Sequence, residues 1–385
     1  MSILAVVERC LEVQFSEVFR ILKNPVDEKY LISPFLIVPL MYVSMVMPGV
    51  LNFQRELAEH AGYNAYISVV LVGISIHLIL WMIYKILRSN QEGLDVTAIN
   101  KTCFGKIAGN IINFAIVLYF CFGAYIKFRA YIEVIQVWVF PSVEMIIICT
   151  LLVLLLYYTV SGGFRSVTGL SFFGLLISII HVIPEFSLVL PYTHPLNLMP
   201  LFNHSITDIL LSSKSMIYQY MGLEALLLYY PFIKSPAKSQ KWAHLTVFFL
   251  TLMYLMIIII TFMYFSEGQL REILWPTLYM LKILEGPVLQ RVEYLAISMW
   301  LIKMVANISL FLWAACRGMK NVFQIKPRAS LIAFLVGFLI LEYFLKDPNI
   351  FRWIEFYSDV GLYFIYGYIP IMFVVTQIRK NWNKG

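Results

Sequence analysis

The chain has 385 residues, of which 61% are hydrophobic and only 13% are charged. Soluble domains are nearer half apolar and a quarter charged, so this composition excludes an ordinary soluble protein and indicates a membrane protein. Lysine and arginine outnumber aspartate and glutamate by 29 to 22. In a membrane protein we interpret this excess as basic cytoplasmic loops, not as a surface that binds nucleic acid.

The first predicted element is an amphipathic N-terminal extension. Apolar residues recur near helical spacing from Ile3 to Leu22, and charged residues such as Glu8 and Arg9 lie between them. A helix with this pattern lies on the surface of a membrane. We therefore interpret residues 1–30 as a cytoplasmic or interfacial extension. An extension that packs on the bundle, or that is partly disordered, is an equally good interpretation.

Residues 31–380 follow as one transmembrane domain, and a basic tail at 381–385 ends the chain. A helix rises about 1.5 Å per residue, so roughly 20 apolar residues cross the hydrocarbon core. Short turns with proline, glycine or charge separate segments of about this length. The predicted fold is an all-α membrane protein with about ten transmembrane helices, at about 31–54, 65–87, 107–139, 143–160, 168–190, 206–232, 243–265, 289–316, 329–345 and 358–378.

The basic residues of the loops predict an orientation. When the N-terminus is placed inside, most loop lysines and arginines fall on the inner side, as the positive-inside rule requires. Both ends of the chain are basic, which favours an even number of crossings. We therefore expect both termini to be cytoplasmic.

Two of the predicted spans contain helix breakers near their middle. Span one contains Pro48-Gly49, and span six contains Gly222 close to Glu224. Proline removes an amide donor and clashes with the preceding helical turn. Interrupted helices at matching positions of two five-helix halves indicate a secondary-transporter fold, in which freed backbone groups bind a small ligand. The alternative is that proline and glycine are simply common in membrane helices.

Charged residues inside the spans are the second informative feature. Lys127 lies in span three beside Arg129 and Glu133, which are i,i+4 partners, while Glu224 lies in span six and Glu293 in span eight. Each charge in hydrocarbon costs about 2.5–3.5 kcal/mol, so these groups should face the interior and pair. For Arg129 and Glu133 we favour a structural ion pair over a ligand path. For Glu224 both interpretations stay open.

Enzymatic chemistry has no support in the sequence. Neither the phosphate-binding pattern GxxxxGK[ST] nor the zinc pattern HExxH occurs. The six histidines are dispersed, and the five cysteines have no regular spacing. We predict no catalytic residue, no cofactor and no metal site.

Six short motifs occur in a fixed order along the spans. They are Phe128-Arg129-Ala130, Leu196-Asn197-Leu198-Met199-Pro200, Met221-Gly222-Leu223-Glu224, Trp275-Pro276-Thr277, Arg291-Val292-Glu293 and Tyr357-Ser358-Asp359. With these motifs in register, the chain resembles the B subunits of bacterial spore germinant receptors. These subunits are a branch of the amino acid–polyamine–organocation transporter superfamily. The resemblance runs from about Ile32 to the C-terminus.

This resemblance implies a fold similar to the LeuT and amino-acid transporters, with two inverted five-helix repeats and with helices one and six broken. It implies a subunit of the spore inner membrane that senses a nutrient such as an amino acid and signals to partners. Those partners are an integral A-type subunit and a C-type lipoprotein. Carried onto this chain, the ligand-binding residues between helices 1, 3, 6 and 8 would be Met47, Pro48, Gly49, Gly123, Tyr125, Met221, Gly222, Ala306 and Asn307. Arg129, Glu133, Glu224 and Glu293 would be structural or coupling charges.

The chain departs from the family pattern in span one. The family usually has glycine-x-glycine where this chain has Met47-Pro48-Gly49, and it has proline where this chain has Gln54. The departure at Met47 argues for a different nutrient or for a partly filled pocket. Two other functions stay open, namely a proton- or sodium-coupled amino acid permease with Glu224 as its titratable group, and a scaffold subunit with a vestigial pocket.

Overall fold

The computed structural model describes residues 26–89, 95–282, 292–344 and 350–382. Within these ranges the chain is helical, and its one β-type pairing is a parallel bridge between Ile32 and Ile233. Most of the predicted N-terminal extension, residues 1–25, and the last three residues of the tail lie outside the described ranges.

The helices are α1 (Ile37–Met45), α2 (Phe53–Ala61), α3 (Tyr66–Ser89), α4 (Val96–Trp138), α5 (Met145–Ser161), α6 (Phe164–Val189), α7 (Ile206–Ile217), α8 (Leu226–Tyr229), α9 (Gln240–Tyr264), α10 (Glu267–Glu272), α11 (Pro276–Leu281), α12 (Val292–Phe323), α13 (Pro327–Phe344), α14 (Ile350–Tyr363) and α15 (Ile369–Trp382). A five-residue π-helical turn joins α14 to α15 in one long rod. Helix α4 is kinked at Gly105, whose φ is +79°.

Each of the ten predicted spans contains helix in the described part of the chain. Six helical runs of the described chain are long and apolar enough to span a membrane on their own, and they begin at Phe53, Val96, Pro236, Tyr294, Pro327 and Arg352. Helices α5 and α6 pass the same test as a pair, with a bend of 118° between them. Two shorter apolar helical stretches belong to spans one and six, which are interrupted.

Span one is interrupted between α1 and α2. Val46 and Met47 are extended, with ψ of 92° and 175°, and Pro48–Leu51 form a single 3-10 turn before α2 begins. Pro48 has no amide hydrogen, and its ring disfavours a helical conformation at the preceding residue, so the hydrogen bonds of α1 cannot continue through it. The break predicted from Pro48 is confirmed.

Span six is interrupted between α7 and α8. Met221 is extended with ψ of 137°, and Gly222 has φ of +116°, in the left-handed region that favours glycine. The chain then returns to a helical path through a 3-10 turn, Leu223–Ala225, that leads into α8. The break predicted in span six is confirmed as well.

Spans one and six lie together at the centre of the bundle. Helix α2 packs against α7, and α1 packs against the turn at Leu223–Ala225. Helices α6, α9 and α12 surround α1, and α12 packs along most of α4. This arrangement places both interruptions between α4 and α12, in the buried interior of the bundle.

Candidate ligand-binding site

The two interruptions touch at Gly222. A Cβ atom added to Gly222 would clash with the carbonyl oxygen of Ser44, near the end of α1. Gly222 therefore meets two requirements at once, a positive φ and a close approach of two backbones. Any larger residue at this position would push the broken ends of spans one and six apart.

A second contact between the interruptions joins Gly49 and Gln219. A Cβ atom on Gly49 would lie 2.6 Å from Gln219 Nε2 and 2.9 Å from Tyr218 Cε1. Gln219 is fully buried, and in the described part of the chain neither Oε1 nor Nε2 has a hydrogen-bond partner. Buried polar side chains are nearly always hydrogen-bonded. The Gln219 amide is therefore a group that a bound solute or water molecule can satisfy.

A small cavity lies beside Gly49 and Tyr218. It has a volume of about 30 Å³ and is also lined by Glu56, Glu133 and Trp275. This space holds about one or two water molecules. A molecule the size of an amino acid does not fit in this space, and we call this close packing of spans one and six the closed form.

Side chains of α14 and of span six occupy the rest of the centre. A Cβ atom on Gly123 of α4 would clash with the Tyr357 hydroxyl, so glycine at this position leaves room for the tyrosine. The Met221 side chain lies so close to Gly361 of α14 that a Cβ atom there would overlap its terminal methyl. Met221 and Gly123 thus line the same region of the bundle, which Tyr357 fills in this closed form.

Glu224 stabilises the interruption of span six through two hydrogen bonds. The carboxylate is fully buried, and its Oε2 accepts a hydrogen bond of 2.7 Å from the backbone N–H of Gly222. Its Oε1 accepts a second bond of 2.7 Å from the hydroxyl of Tyr119 on α4. The two bonds satisfy an amide that the broken helix leaves free, and they tie the break to α4.

Asn307 of α12 binds the interruption of span one. Its Nδ2 donates to the carbonyl oxygen of Val43 at 2.6 Å, and its Oδ1 accepts from Lys127 Nζ at 2.8 Å. Asn307, Lys127 and the neighbouring Ala306 are all fully buried. Sequence analysis identified Lys127 as an intramembrane charge but did not predict it as part of the site.

The charged pair predicted in span three belongs to a three-residue cluster, and its Glu133 also lines the cavity beside Gly49. Arg129 Nη1 lies 3.7 Å from Glu133 Oε2, and Arg129 Nε lies 3.4 Å from Glu342 Oε2 on α13. Tyr125 faces the same helix, with its ring 5.3 Å from that of Phe338. This geometry favours a structural role for the cluster. Sequence analysis missed Glu342, although a carboxylate near the end of span nine was visible.

Two further positions from the sequence analysis are Gln54, whose contacts the structure describes, and Glu293, whose side chain it does not describe. Gln54, where the family pattern has proline, donates from Nε2 to Thr277 Oγ1 at 2.8 Å, and Thr277 donates to the Val50 carbonyl oxygen at 3.1 Å. These bonds tie α2 and the break in span one to α11. Glu293 lies in the first turn of α12, and its side chain is outside the described part of the structure.

Comparison with solved structures identifies the fold. The chain is similar to a Na⁺-coupled sialic acid symporter in a substrate-bound outward-open state, with a TM-score of 0.58 and 11% identity, over 94% of this chain and 80% of that one. It is similar to Mhp1, a nucleobase-cation-symport-1 family transporter in a closed conformation with bromovinylhydantoin bound. There the TM-score is 0.60 and the identity 12%, over 89% of this chain and 77% of that one. The fold is that of a LeuT-like transporter, an all-α membrane protein with two inverted five-helix repeats.

Comparison of sequences then gives the family. The family model described as spore germination protein matches residues 31–351. The chain is 36% identical over 357 residues to spore germination protein GerQB of Bacillus cereus. The aligned region covers 92% of this chain and 98% of that protein. It is 23% identical over 345 residues to spore germination protein YndE of Bacillus subtilis (strain 168), covering 88% and 94%. The chain belongs to the spore germination protein family and is a multi-pass membrane protein, which confirms the resemblance.

Proposed function

We propose that this chain is the nutrient-sensing B subunit of a spore germination receptor. Its ligand would be a small molecule such as an amino acid, bound between spans one, three, six and eight. The observation that supports this proposal most strongly is the unpaired, fully buried amide of Gln219, which faces Gly49 where the two interrupted spans meet. Membership of the spore germination protein family supports the biological context.

The chemistry of Gln219 suits a small polar nutrient. A glutamine amide offers two N–H donors and a carbonyl acceptor, so it can bind an amino group, a carboxylate or a hydroxyl. Gly49 and Gly222 carry no side chain, so in a more open packing a ligand can approach their backbone closely. Met47 is fully buried beside this region and would restrict the size of the ligand.

Signalling would use the difference between a closed and a more open packing of spans one and six. A ligand shifts such an equilibrium only as far as it prefers one of the two states. The closed form has about 30 Å³ of free space beside Gly49, so a bound nutrient would favour the more open form. In the spore inner membrane, an A-type membrane subunit and a C-type lipoprotein would respond to that change.

The first prediction concerns Gln219→Leu, which removes both polar groups of the amide while nearly preserving side-chain size. In spores that carry this variant as their only copy, we expect the nutrient concentration for half-maximal germination to rise about tenfold or more. The reason is that the ligand would lose one or two buried hydrogen bonds. The matched control is Gln377→Leu on α15, away from the interruptions, which should leave the response unchanged. Immunoblots of spore membranes compare the amounts of each variant.

An unchanged nutrient response in Gln219→Leu spores with normal protein levels would contradict the proposed site. The same experiment distinguishes the sensor from a scaffold subunit with a vestigial pocket. A scaffold needs no polar group at position 219, so its nutrient response would not change.

A coupled amino acid permease is the alternative that the fold supports, since the similar solved structures are transporters. Glu224, a fully buried carboxylate at the break in span six, is the candidate group for coupling to protons. Accumulation of labelled amino acid in proteoliposomes that contain this chain alone would select the permease. Binding of the nutrient without accumulation would select the sensor.

A further inference from the structure

The end of α1 exposes carbonyl oxygens that no helical N–H can satisfy. Because α1 stops at Met45, its last carbonyl groups lose their usual partners. The Tyr254 hydroxyl donates to one of them, the Met45 oxygen, at 2.9 Å. The oxygens of Val43, Ser44 and Val46 face α12 instead. Such oxygens carry the negative end of the helix dipole.

The amide of Asn307 fills the space among these oxygens. Its Nδ2 lies 2.6 Å from the Val43 oxygen, 3.3 Å from the Ser44 oxygen and 3.4 Å from the Val46 oxygen. One NH₂ group thus contacts three carbonyl groups of the same broken helix end. In transporters with discontinuous helices, carbonyl groups of this kind coordinate Na⁺.

Lys127 fixes the orientation of that amide. An ammonium group has three donors and no acceptor, so the Asn307 oxygen must face it and the NH₂ group must face the carbonyls. The Nζ–Oδ1 distance is 2.8 Å, and Nζ also lies 3.0 Å from the centroid of the Phe311 ring.

We propose that Asn307, oriented by Lys127, takes the place of a monovalent cation at the end of α1. The interrupted first span is then held closed by the chain's own side chains, and its stability does not depend on Na⁺. One of the solved transporters with a similar fold is described as Na⁺-coupled, so the cation requirement would differ within this fold. A sensor built in this way responds to its nutrient and not to the supply of sodium.

The test compares thermal stability in sodium chloride and in choline chloride at equal ionic strength, with the purified full-length chain. The wild type should have the same Tm in both salts. The double variant Asn307→Ser, Lys127→Met removes the NH₂ group and the neighbouring ammonium and leaves a hydroxyl oxygen beside the three carbonyls, so Na⁺ should bind and raise Tm by about 2–4 °C over choline. Lys127→Met frees the Asn307 amide to turn its oxygen toward the carbonyls, so its Tm should also be higher in sodium chloride than in choline chloride.

The matched control is Asn113→Ser, a buried asparagine of α4 that bonds to the Thr97 carbonyl and to Asn100, away from α1. It should lower Tm equally in both salts. A higher Tm of the wild type in sodium chloride than in choline chloride would overturn the inference. This measurement does not depend on the folding of any variant. Equal Tm values in both salts for the double variant and for Lys127→Met would also overturn it. Because these tests use salts alone, they are independent of whether the proposed nutrient site is correct.

Discussion

At the scale of single residues, the site depends on positions where a small or unpaired group meets a backbone. Gly222 combines a φ of +116° with direct contact to the end of α1. Glu224 satisfies the amide of Gly222 at 2.7 Å. Replacing either residue therefore acts on the contact between spans one and six, not only on local stability.

Gly222→Ala tests this contact. Alanine in the left-handed region costs about 1–2 kcal/mol, and its Cβ would collide with the Ser44 carbonyl, so we expect a loss of at least about 2 kcal/mol in stability. The measurement is thermal unfolding of the purified chain. The control is Gly268→Ala on α10, where an added Cβ has no neighbour within 4 Å. A Gly222 variant as stable as this control would show that the two broken ends do not need to touch.

The residues that act through the backbone were predictable, whereas those that act through distant partners were not. Pro48 and Gly222 interrupt a helix by their own covalent structure, so the sequence alone identifies them. Gln219 was not identified from the sequence, and Asn307 was named only through the family resemblance. What these two polar residues contact depends on how other helices pack. Glu342 was missed for the same reason, since its partner Arg129 is more than two hundred residues away in the chain.

At the scale of helices, the interruptions define two half-helices in each of spans one and six. Hydropathy predicted the apolar half of span one but ended the span at residue 54, whereas α2 continues to Ala61. Residues such as Arg55, Glu56 and His60 reduce hydropathy without preventing helical hydrogen bonds. Hydropathy therefore detects the part of a helix that lies in the membrane, and it misses the polar part that continues beyond.

Met47→Gly tests whether the break in span one sets the size of the ligand. Met47 is fully buried at the start of the 3-10 turn, and glycine would open space beside Gly49. We expect spores with this variant to respond to larger nutrients than the wild type does, as measured with a panel of amino acids of increasing size. A matched variant, Met280→Gly, empties a buried position on α11 and should not change the nutrient profile. The same nutrient range and potency for Met47→Gly and wild type would contradict this role.

At the scale of the whole molecule, contacts close the centre from both ends. At one end, Ile32 donates its N–H to the Phe232 oxygen at 2.8 Å, and Arg317 binds Asp95 with a Nη2–Oδ2 distance of 2.7 Å. At the other end, Thr277 of α11 binds span one through Gln54. In the proposed sensor, one of these sets of contacts would open to let a nutrient reach the interruptions.

The most direct test of the account is a cryo-EM structure of the chain with a nutrient that triggers germination. The account predicts density for the nutrient between Gly49 and Gln219, with spans one and six further apart than in the closed form. Density for the nutrient elsewhere, with Gly222 still packed on Ser44 and no space beside Gly49, would contradict it.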